Sequence, residues 1–509
     1  MGHNGGVSED RQARTILEGL DGAQREAATA VDGPVRIIAG AGAGKTRAIT
    51  RRIAYACASG AWDPERTLAV TFSVKAADEL RRRLSALGVS SGVKAATFHS
   101  AALHQLNRAW PDITDDYFPQ LAEDLRPFMA KAYQRVTGQA DPDPVLLRDL
   151  LEEVGWSKVS LVAPEDYARV CAAVHRQPPA GLEPERMGQV MEAFERDKTD
   201  HGSMDFNDIL LMCCHVLEEF DEAAERIRRS VGWLTVDEYQ DVSPLQHRLM
   251  RLWMGGGNSV CVVGDPAQTI YSFAGASSYY LLDFDHEFDP LAADVELGVD
   301  YRSTPQVVGL ANRVLAASPE RGDYLRLRAA NEAGPRVAMT RYQDDLDEAE
   351  GVVRRVERLL ARGDTPGQCA VLTRINAQQK VICAALKRAG IHYRVRTESG
   401  WQRSTSVAEL RQLDDETLKE TLQGTGPGEV TVSTIHAAKG LEFAHVFLIG
   451  CSEGLLPFGS PQDTEALEEE RRLMYVAVTR AERTLHVSYA LRKEASGGGL
   501  RSPSRFLQG

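Results

Sequence analysis

Ala39-Gly40-Ala41-Gly42-Ala43-Gly44-Lys45-Thr46 is the stretch on which the reading of the whole chain turns. The apolar run from Pro34 to Ile38 before it reads as a buried strand, and Thr46 to Ala58 after it reads as a helix. A strand, a glycine-rich loop and Gly-Lys-Thr opening a helix form the phosphate-binding P-loop arrangement, here with Ala39 in place of the usual first glycine. Glycines let the backbone curl so that successive N–H groups face a phosphate, and the helix N-terminus adds partial positive charge. Lys45 then reaches the β- and γ-phosphates, and the Thr46 hydroxyl sits on Mg²⁺.

Working outward, the next chemistry-bearing stretch is Trp233-Leu234-Thr235-Val236, an apolar strand that ends in Asp237-Glu238. Adjacent carboxylates after a buried strand fit the second half of an NTPase site, the first near Mg²⁺ and the second activating water. Ser259 to Val263 is a further buried strand, followed by Gln268, which can sense a γ-phosphate, and by Tyr271 and Phe273, which can stack bases. Thr67 to Thr71 leads into Phe72, and another strand-like run ends in Thr97-Phe98-His99-Ser100. Ligands of open α/β sheets bind at such strand ends. Gln24, ahead of the first strand, carries the paired donor and acceptor that suit an adenine edge.

Between Ala101 and Met204 the pattern turns helical, as in Tyr117 to Val136 and Met187 to Asp197, with proline-containing breaks. This reads as a helical insertion within one α/β domain. Beyond Pro335 a second α/β pattern begins, with Glu348 to Leu360 and Ala377 to Arg388 as helices. Its expected strands are Gln368 to Leu372, Ile391 to Val395, Val430 to Ser433, Val446 to Ile449 and Leu485 to Tyr489, the last closing the sheet. It has no P-loop, but Arg302 precedes it and Arg480 lies late in it, and cationic fingers of this kind complete many P-loop sites. The arginine run Arg81-Arg82-Arg83 reads as a solvated helix face.

The chain has 509 residues, 43% hydrophobic and 26% charged, an ordinary balance for a soluble protein too long for one core. No apolar run approaches the roughly 20 residues of a membrane helix, and the polar N-terminus is not a secretory signal. Eight scattered cysteines point to reduced thiols and a cytoplasmic protein. The net charge of −13 argues weakly against nucleic-acid binding, because stacking and backbone donors can hold a single strand without a basic surface.

Taken in order, Gln24, the P-loop, Thr71 to Ala77, Thr97 to Ser100, Asp237 to Asp241, Gly264-Asp265-Pro266, Tyr301-Arg302-Ser303, Thr434 to Phe443 and Glu469 to Ala481 form a specific set. With them the chain resembles superfamily 1 DNA helicases of the UvrD/Rep/PcrA type, above all the actinobacterial UvrD-like branch, from about Leu20 to Leu507. The resemblance implies an α/β fold of two RecA-like P-loop NTPase domains, with a helical insertion in the first. It implies ATP and Mg²⁺ between those domains and single-stranded or tailed duplex DNA across their top. It divides the chain into a mobile lead (1–19), domain 1A (20–100 and 205–290), insertion 1B (101–204), domain 2A (291–396 and 429–509) and a short connector (397–428). By position, Gln24 reads adenine, and Arg47 and Tyr301 sandwich it. Ala39 to Gly44 with Lys45 and Thr46 hold phosphate, and Thr46 and Asp237 hold the metal. Glu238 is the catalytic base, Gln268 meets the γ-phosphate, and Arg302 and Arg480 are the arginine fingers. Gly440 and Glu442 belong to the nucleotide site, Glu442 at the ribose. Phe72, His99, Tyr271, Phe273 and His436 fall at the strand-contacting motifs.

The sequence departs from this family pattern at Ala274, where many relatives have arginine, and at Val74 and Asp300, where asparagine is frequent. The connector stands where relatives insert the accessory subdomain called 2B, so a protein partner that replaces the missing duplex contact is expected. The implied activity is ATP-driven 3′→5′ tracking on single-stranded DNA. The alternative is a DNA-stimulated ATPase that remodels protein–DNA complexes without processive unwinding. A noncatalytic subunit is disfavoured by the intact Lys45, Asp237, Glu238, Arg302 and Arg480.

Overall fold

The computed structural model describes residues 13–89, 92–139, 142–397, 400–403, 428–459, 461, 463–493 and 499–508. By contact the described residues fall into two compact units, one formed by those within 1–38, 45–264 and 271–296, the other by those within 39–44, 265–270 and 297–509. No helix among the described residues is long and apolar enough to cross a membrane.

The first unit is built on strands β1 (Val35–Ala39), β2 (Thr67–Thr71), β3 (Lys94–Thr97), β4 (Trp233–Val236), β5 (Val260–Gly264) and β6 (Ala293–Leu297), in the order β3-β2-β4-β5-β1-β6. Pairings from β3 through β1 are parallel. β2 and β5 are buried along their whole length, the mark of parallel strands covered on both faces. Helices α1 (Gly22–Thr29), α2 (Lys45–Ala58), α3 (Val74–Ala86) and α4 (Phe98–Ile113) accompany the first three strands.

The expected helical insertion is present as α5 (Arg126–Thr137), α6 (Pro144–Val159), α7 (Tyr167–Val174) and α8 (Pro184–Asp200). In α8, Met187, Val190, Met191 and Phe194 repeat at helical spacing and pack with Met129, Tyr133 and Tyr167 in a separate core. The helix expected from Tyr117 starts only at Arg126, with Pro127 in its first turn, the one place a helix accepts proline freely. A cluster of buried charges ties the insertion to the chain that follows. Lys158 on α6 and Lys198 on α8 both reach Asp205, at 2.5 Å and 2.6 Å, and both reach Asp208 at 2.6 Å. Burial works against the Asp205 charge, yet the two lysines hold its pKa down to about 2. From Asp208 the chain returns through α9 (Asp208–Glu219), α10 (Asp221–Arg229) and, after β4, α11 (Pro244–Met254).

The second unit holds α12 (Pro305–Ala316) and a seven-stranded sheet, with strands β7 (Ala338–Asp344), β8 (Cys369–Thr373), β9 (Tyr393–Thr397), β10 (Gly400–Arg403), β11 (Val430–Thr434), β12 (Phe443–Leu448) and β13 (Ala481–Arg492). Their order is β7-β13-β12-β8-β11-β9-β10, parallel except for the β9–β10 pair. Helices α13 (Asp345–Leu360) and α14 (Asn376–Arg388) pack Val352, Val356, Ile382 and Leu386 onto Val371, Val432 and Phe447. The final helix, α15 (Thr464–Val478), leads into β13.

Two expectations are corrected. The Leu485–Tyr489 strand does not close the sheet: it is part of the longer β13, and β7 lies outside it. The lead is not mobile throughout, because Ile16 and Leu17 are buried against α2 and α1. The C-terminal segment is held as well: Arg501 pairs with Asp345 at 2.5 Å, Ser504 N–H donates to Cys451 O at 2.9 Å, and Phe506 is buried. All eight cysteines are free thiols, six of them buried. Of the expected connector, 398–399 and 404–427 lie outside the described residues.

Candidate nucleotide and nucleic-acid site

In the first unit Lys45 opens α2, and the Thr50 hydroxyl donates to Thr46 O at 2.7 Å, securing the first turn. Arg47 donates to Gly19 O at 2.7 Å, which anchors it beside the start of α1. Gln24 is buried, and it forms a capping box with Asp21: its N–H donates to Asp21 Oδ1 at 2.7 Å, and its Oε1 accepts the Asp21 N–H at 3.4 Å. The expected adenine reader is therefore held by the helix it begins.

Asp237 and Glu238 follow β4 directly. Asp237 is buried, and its pKa is pushed up to about 7, first by burial and then by the Glu238 charge, with Lys45 opposing both. Glu238 sits at φ +53°, the left-handed region, which costs a non-glycine residue about 1–3 kcal/mol. Its N–H donates to Asp237 Oδ1 at 3.0 Å, and Gln240 Nε2 donates to Glu238 Oε2 at 2.6 Å. Strain of this kind persists only where surrounding contacts impose it. Two carboxylates driven together in a buried setting beside one lysine are a donor set for a hard divalent cation, which relieves the repulsion that raises Asp237. The residues present therefore fit Mg²⁺.

The same unit presents aromatic faces. Phe72 is half exposed and stacks on Tyr271 at 5.9 Å, nearly parallel, while Tyr271 meets Phe273 edge-on at 6.1 Å. His99 stacks on Phe206 at 3.9 Å. Burial lowers the His99 pKa to about 4, so the ring stacks uncharged at neutral pH. Sequence reasoning passed over Phe206. It lies between Asp205 and Asp208, the residues Lys158 and Lys198 clamp, and nothing in that local sequence points to His99.

The second unit contains the P-loop segment 39–44 together with Gln268, Tyr301, Arg302, His436, Gly440, Glu442 and Arg480. Gly42 has φ +71° and Gly44 has φ +79°, so the loop uses the freedom that only glycine has without strain. Any Cβ on Gly42 would collide with the carboxylate of buried Asp300, which in turn accepts the N–H groups of Arg302 and Ser303. The Gly42 carbonyl accepts the Tyr301 N–H at 3.0 Å. On the other side the Ala41 N–H donates to the Tyr475 hydroxyl at 3.2 Å, and that hydroxyl donates to Asp265 at 3.3 Å. Asp265 also receives Gln268 Nε2 at 2.7 Å. Lys439 Nζ holds the Gln268 carbonyl at 2.6 Å, and Arg480 reaches Gln268 Oε1 at 3.4 Å. Arg480 is itself aimed by the carbonyls of Val476 and Leu441, at 3.0 Å and 3.2 Å. Arg302 forms an ion pair with Glu442. Burial, with the Arg374 and Lys439 charges, lowers the His436 pKa to about 4.

The structure thus gathers Gln268, Arg480 and the P-loop backbone into one hydrogen-bonded network, and Arg302 with Glu442 into another contact. Tyr475, Asp265 and Lys439 join the first network without having been singled out as site residues from sequence.

Comparison with known proteins gives a consistent result. The UvrD/REP helicase N-terminal domain family matches residues 20–289, and the UvrD-like helicase C-terminal domain family matches 295–410 and 402–492. The chain is 38% identical to proteins named ATP-dependent DNA helicase UvrD2 from Mycobacterium tuberculosis and Mycobacterium bovis, over 97% of its own length and 82% of theirs. It is 26% identical to the ATP-dependent DNA helicase PcrA of Bacillus subtilis, over 97% of its length and 86% of that protein's. With the P-loop at its centre and both family domains matched in order, the chain belongs to the UvrD/REP helicase family.

Proposed function

We propose that this protein is an ATP-dependent DNA helicase and translocase that moves 3′→5′ on single-stranded DNA. Its relatives' names give the coarse activity, and the direction follows the family resemblance. The observation that carries the mechanistic reading is the Arg480–Gln268–Asp265–Tyr475–Ala41 chain of contacts. It links the residues suited to sensing a terminal phosphate directly to the P-loop backbone.

Bound Mg²⁺–ATP supplies the phosphoanhydride and the cation that offsets charge on the phosphoryl oxygens. Lys45 and the amides of 39–44 bind the phosphates, and the Thr46 hydroxyl and Asp237 would hold the cation. Glu238, with its carboxylate oriented by Gln240, accepts the proton of the attacking water. Arg302 and Arg480 stabilise charge that develops on the transferred group, with Gln268 oriented between Arg480 and Asp265. Arg47 and Tyr301 would enclose adenine, with Gln24 at its edge, and Gly440 and Glu442 would serve the sugar. Phe72, Tyr271, Phe273, His99 and Phe206 offer sequence-tolerant stacking to bases, and His436 adds to the strand-contacting set. The division into 1A, 1B and 2A follows the two sheets and the separate helical core, with the 1A/2A boundary moved past β6 (Ala293–Leu297), which pairs in the first sheet rather than belonging to 2A from residue 291.

The connector in place of the 2B subdomain belongs to this reading. The alignments to the Mycobacterium tuberculosis and Bacillus subtilis proteins run over 579 and 646 positions, longer than the 509-residue chain itself. A shorter chain than those relatives goes with the expectation of weak solo unwinding of long duplexes, with a partner supplying duplex contact. ATP hydrolysis measured with and without single-stranded DNA, beside strand displacement on 3′- and 5′-tailed duplexes, tests the reading. Strong stimulation with displacement from 3′ tails is expected. Strong stimulation with no displacement even of short duplexes would favour the remodelling ATPase.

A further inference from the structure

In the first unit β3 is an edge strand and, among the described residues, pairs only with β2. A cavity of about 370 Å³ lies beside it, within the roughly 300–1,000 Å³ range of ligand pockets. Its floor is apolar, formed by Leu68, Ala95, Ala109, Ile227 and Val231. Its rim is cationic, carrying Arg81, Lys94, Arg108 and Arg226, and among the described residues no aspartate or glutamate lines it. Arg81 and Arg226 are paired with Asp78 and Asp112, which stand outside the lining, whereas Lys94 and Arg108 have no carboxylate partner among the described residues. On a chain of net charge −13 this is a local reversal of sign.

Val93, Lys94, Ala95 and Ala96 all line the cavity, although successive side chains of a strand point to opposite faces. The open backbone edge of the strand therefore faces the space, offering N–H and C=O groups to another chain. Among the described residues the lining holds no tyrosine, phenylalanine or tryptophan, so it gives bases nothing to stack on. A phosphate backbone has no use for an apolar floor.

We infer that this edge is a docking site for an acidic peptide segment of a partner protein. The segment would add as a strand to β3, place one bulky apolar side chain in the cavity and set its carboxylates against Lys94 and Arg108. The site shares no residue with the nucleotide set and requires nothing of the catalytic reading.

The test is fluorescence anisotropy with a labelled octapeptide of aspartate and glutamate around one central phenylalanine. Saturable binding in the micromolar range is expected, weakened about tenfold or more when alanine replaces the phenylalanine, and lost when lysines replace the acids. The Lys94→Glu/Arg108→Glu double variant, both positions lying away from the buried core, should bind at least about tenfold more weakly with an unchanged thermal melt. Failure of the wild-type protein to bind the acidic peptide saturably overturns the inference. So does equal binding of the alanine or lysine peptide, or displacement of the acidic peptide by a single-stranded oligonucleotide. The wild-type measurements decide the matter even if the double variant misfolds.

Discussion

The Ala41 amide of the P-loop donates to the hydroxyl of Tyr475 at the far end of the sequence, 434 positions away, at 3.2 Å. Tyr475 is fully buried on α15, and burial first, then the Asp265 charge, keeps its hydroxyl protonated. Tyr475 is therefore a positioning residue that holds the phosphate loop against the segment bearing Gln268. Tyr475→Phe keeps the ring and removes the contact, leaving the Ala41 N–H without that acceptor at a cost of about 1–3 kcal/mol. Turnover of ATP should fall about tenfold or more while the KM for ATP changes less, as read from steady-state kinetics with saturating DNA. Unchanged kcat would show that the loop does not depend on this hydroxyl.

Glu238 stands in a strained backbone conformation, with Gln240 on its carboxylate. Glu238→Gln should abolish turnover while nucleotide affinity, measured with a fluorescent analogue, stays near that of wild type. Arg480→Ala should cut turnover by about 10³-fold. Near-normal steady-state hydrolysis by Glu238→Gln would remove Glu238 from the role of base.

The aromatic faces give a prediction on binding alone. Phe72→Ala removes an exposed ring stacked on Tyr271, and Phe206→Ala removes the partner of His99. Each should weaken single-stranded DNA binding by about 1–3 kcal/mol with little change in DNA-independent hydrolysis. Filter binding at fixed salt checks this, and full affinity in both variants would place the strand elsewhere.

Glu348 gives a pH dependence of stability in the second unit. Burial raises its pKa to about 7, although it accepts hydrogen bonds from Ser488 and from the Gly450 N–H. Its folded pKa exceeds the unfolded value, so the folded state holds the extra proton between the two. Stability from this group is present at and below the unfolded pKa and is lost as pH rises through about 7, an effect on the order of 3 kcal/mol. Glu348→Gln keeps an acceptor without the charge. It should therefore be more stable than wild type at about pH 8, with the gap closing toward about pH 5, in denaturant titrations. An equal gap at both pH values would contradict the assignment.

What was legible in the sequence was local. The P-loop and the Asp237-Glu238 pair each sit at the end of a strand whose apolar run announces it, and Phe72 and His99 follow strands in the same way. Relationships between distant segments were not legible. Nothing near Tyr475 marks it as the acceptor for Ala41, and nothing near Phe206 marks it as the stacking partner of His99. The long β13 and the outer β7 depend on pairing rather than on local pattern. The ordered terminal segments depend on contacts such as Arg501–Asp345 that no short window contains. Gln24 shows the reverse case, where a residue singled out for a ligand is also held by its own helix cap.

The central claim, directional tracking along single-stranded DNA driven by ATP, is tested most directly by displacement of streptavidin from oligonucleotides biotinylated at one end. The account predicts ATP-dependent clearance of the 5′ end that is lost in Glu238→Gln. Preferential clearance of the 3′ end, or equal clearance of both ends, would contradict it.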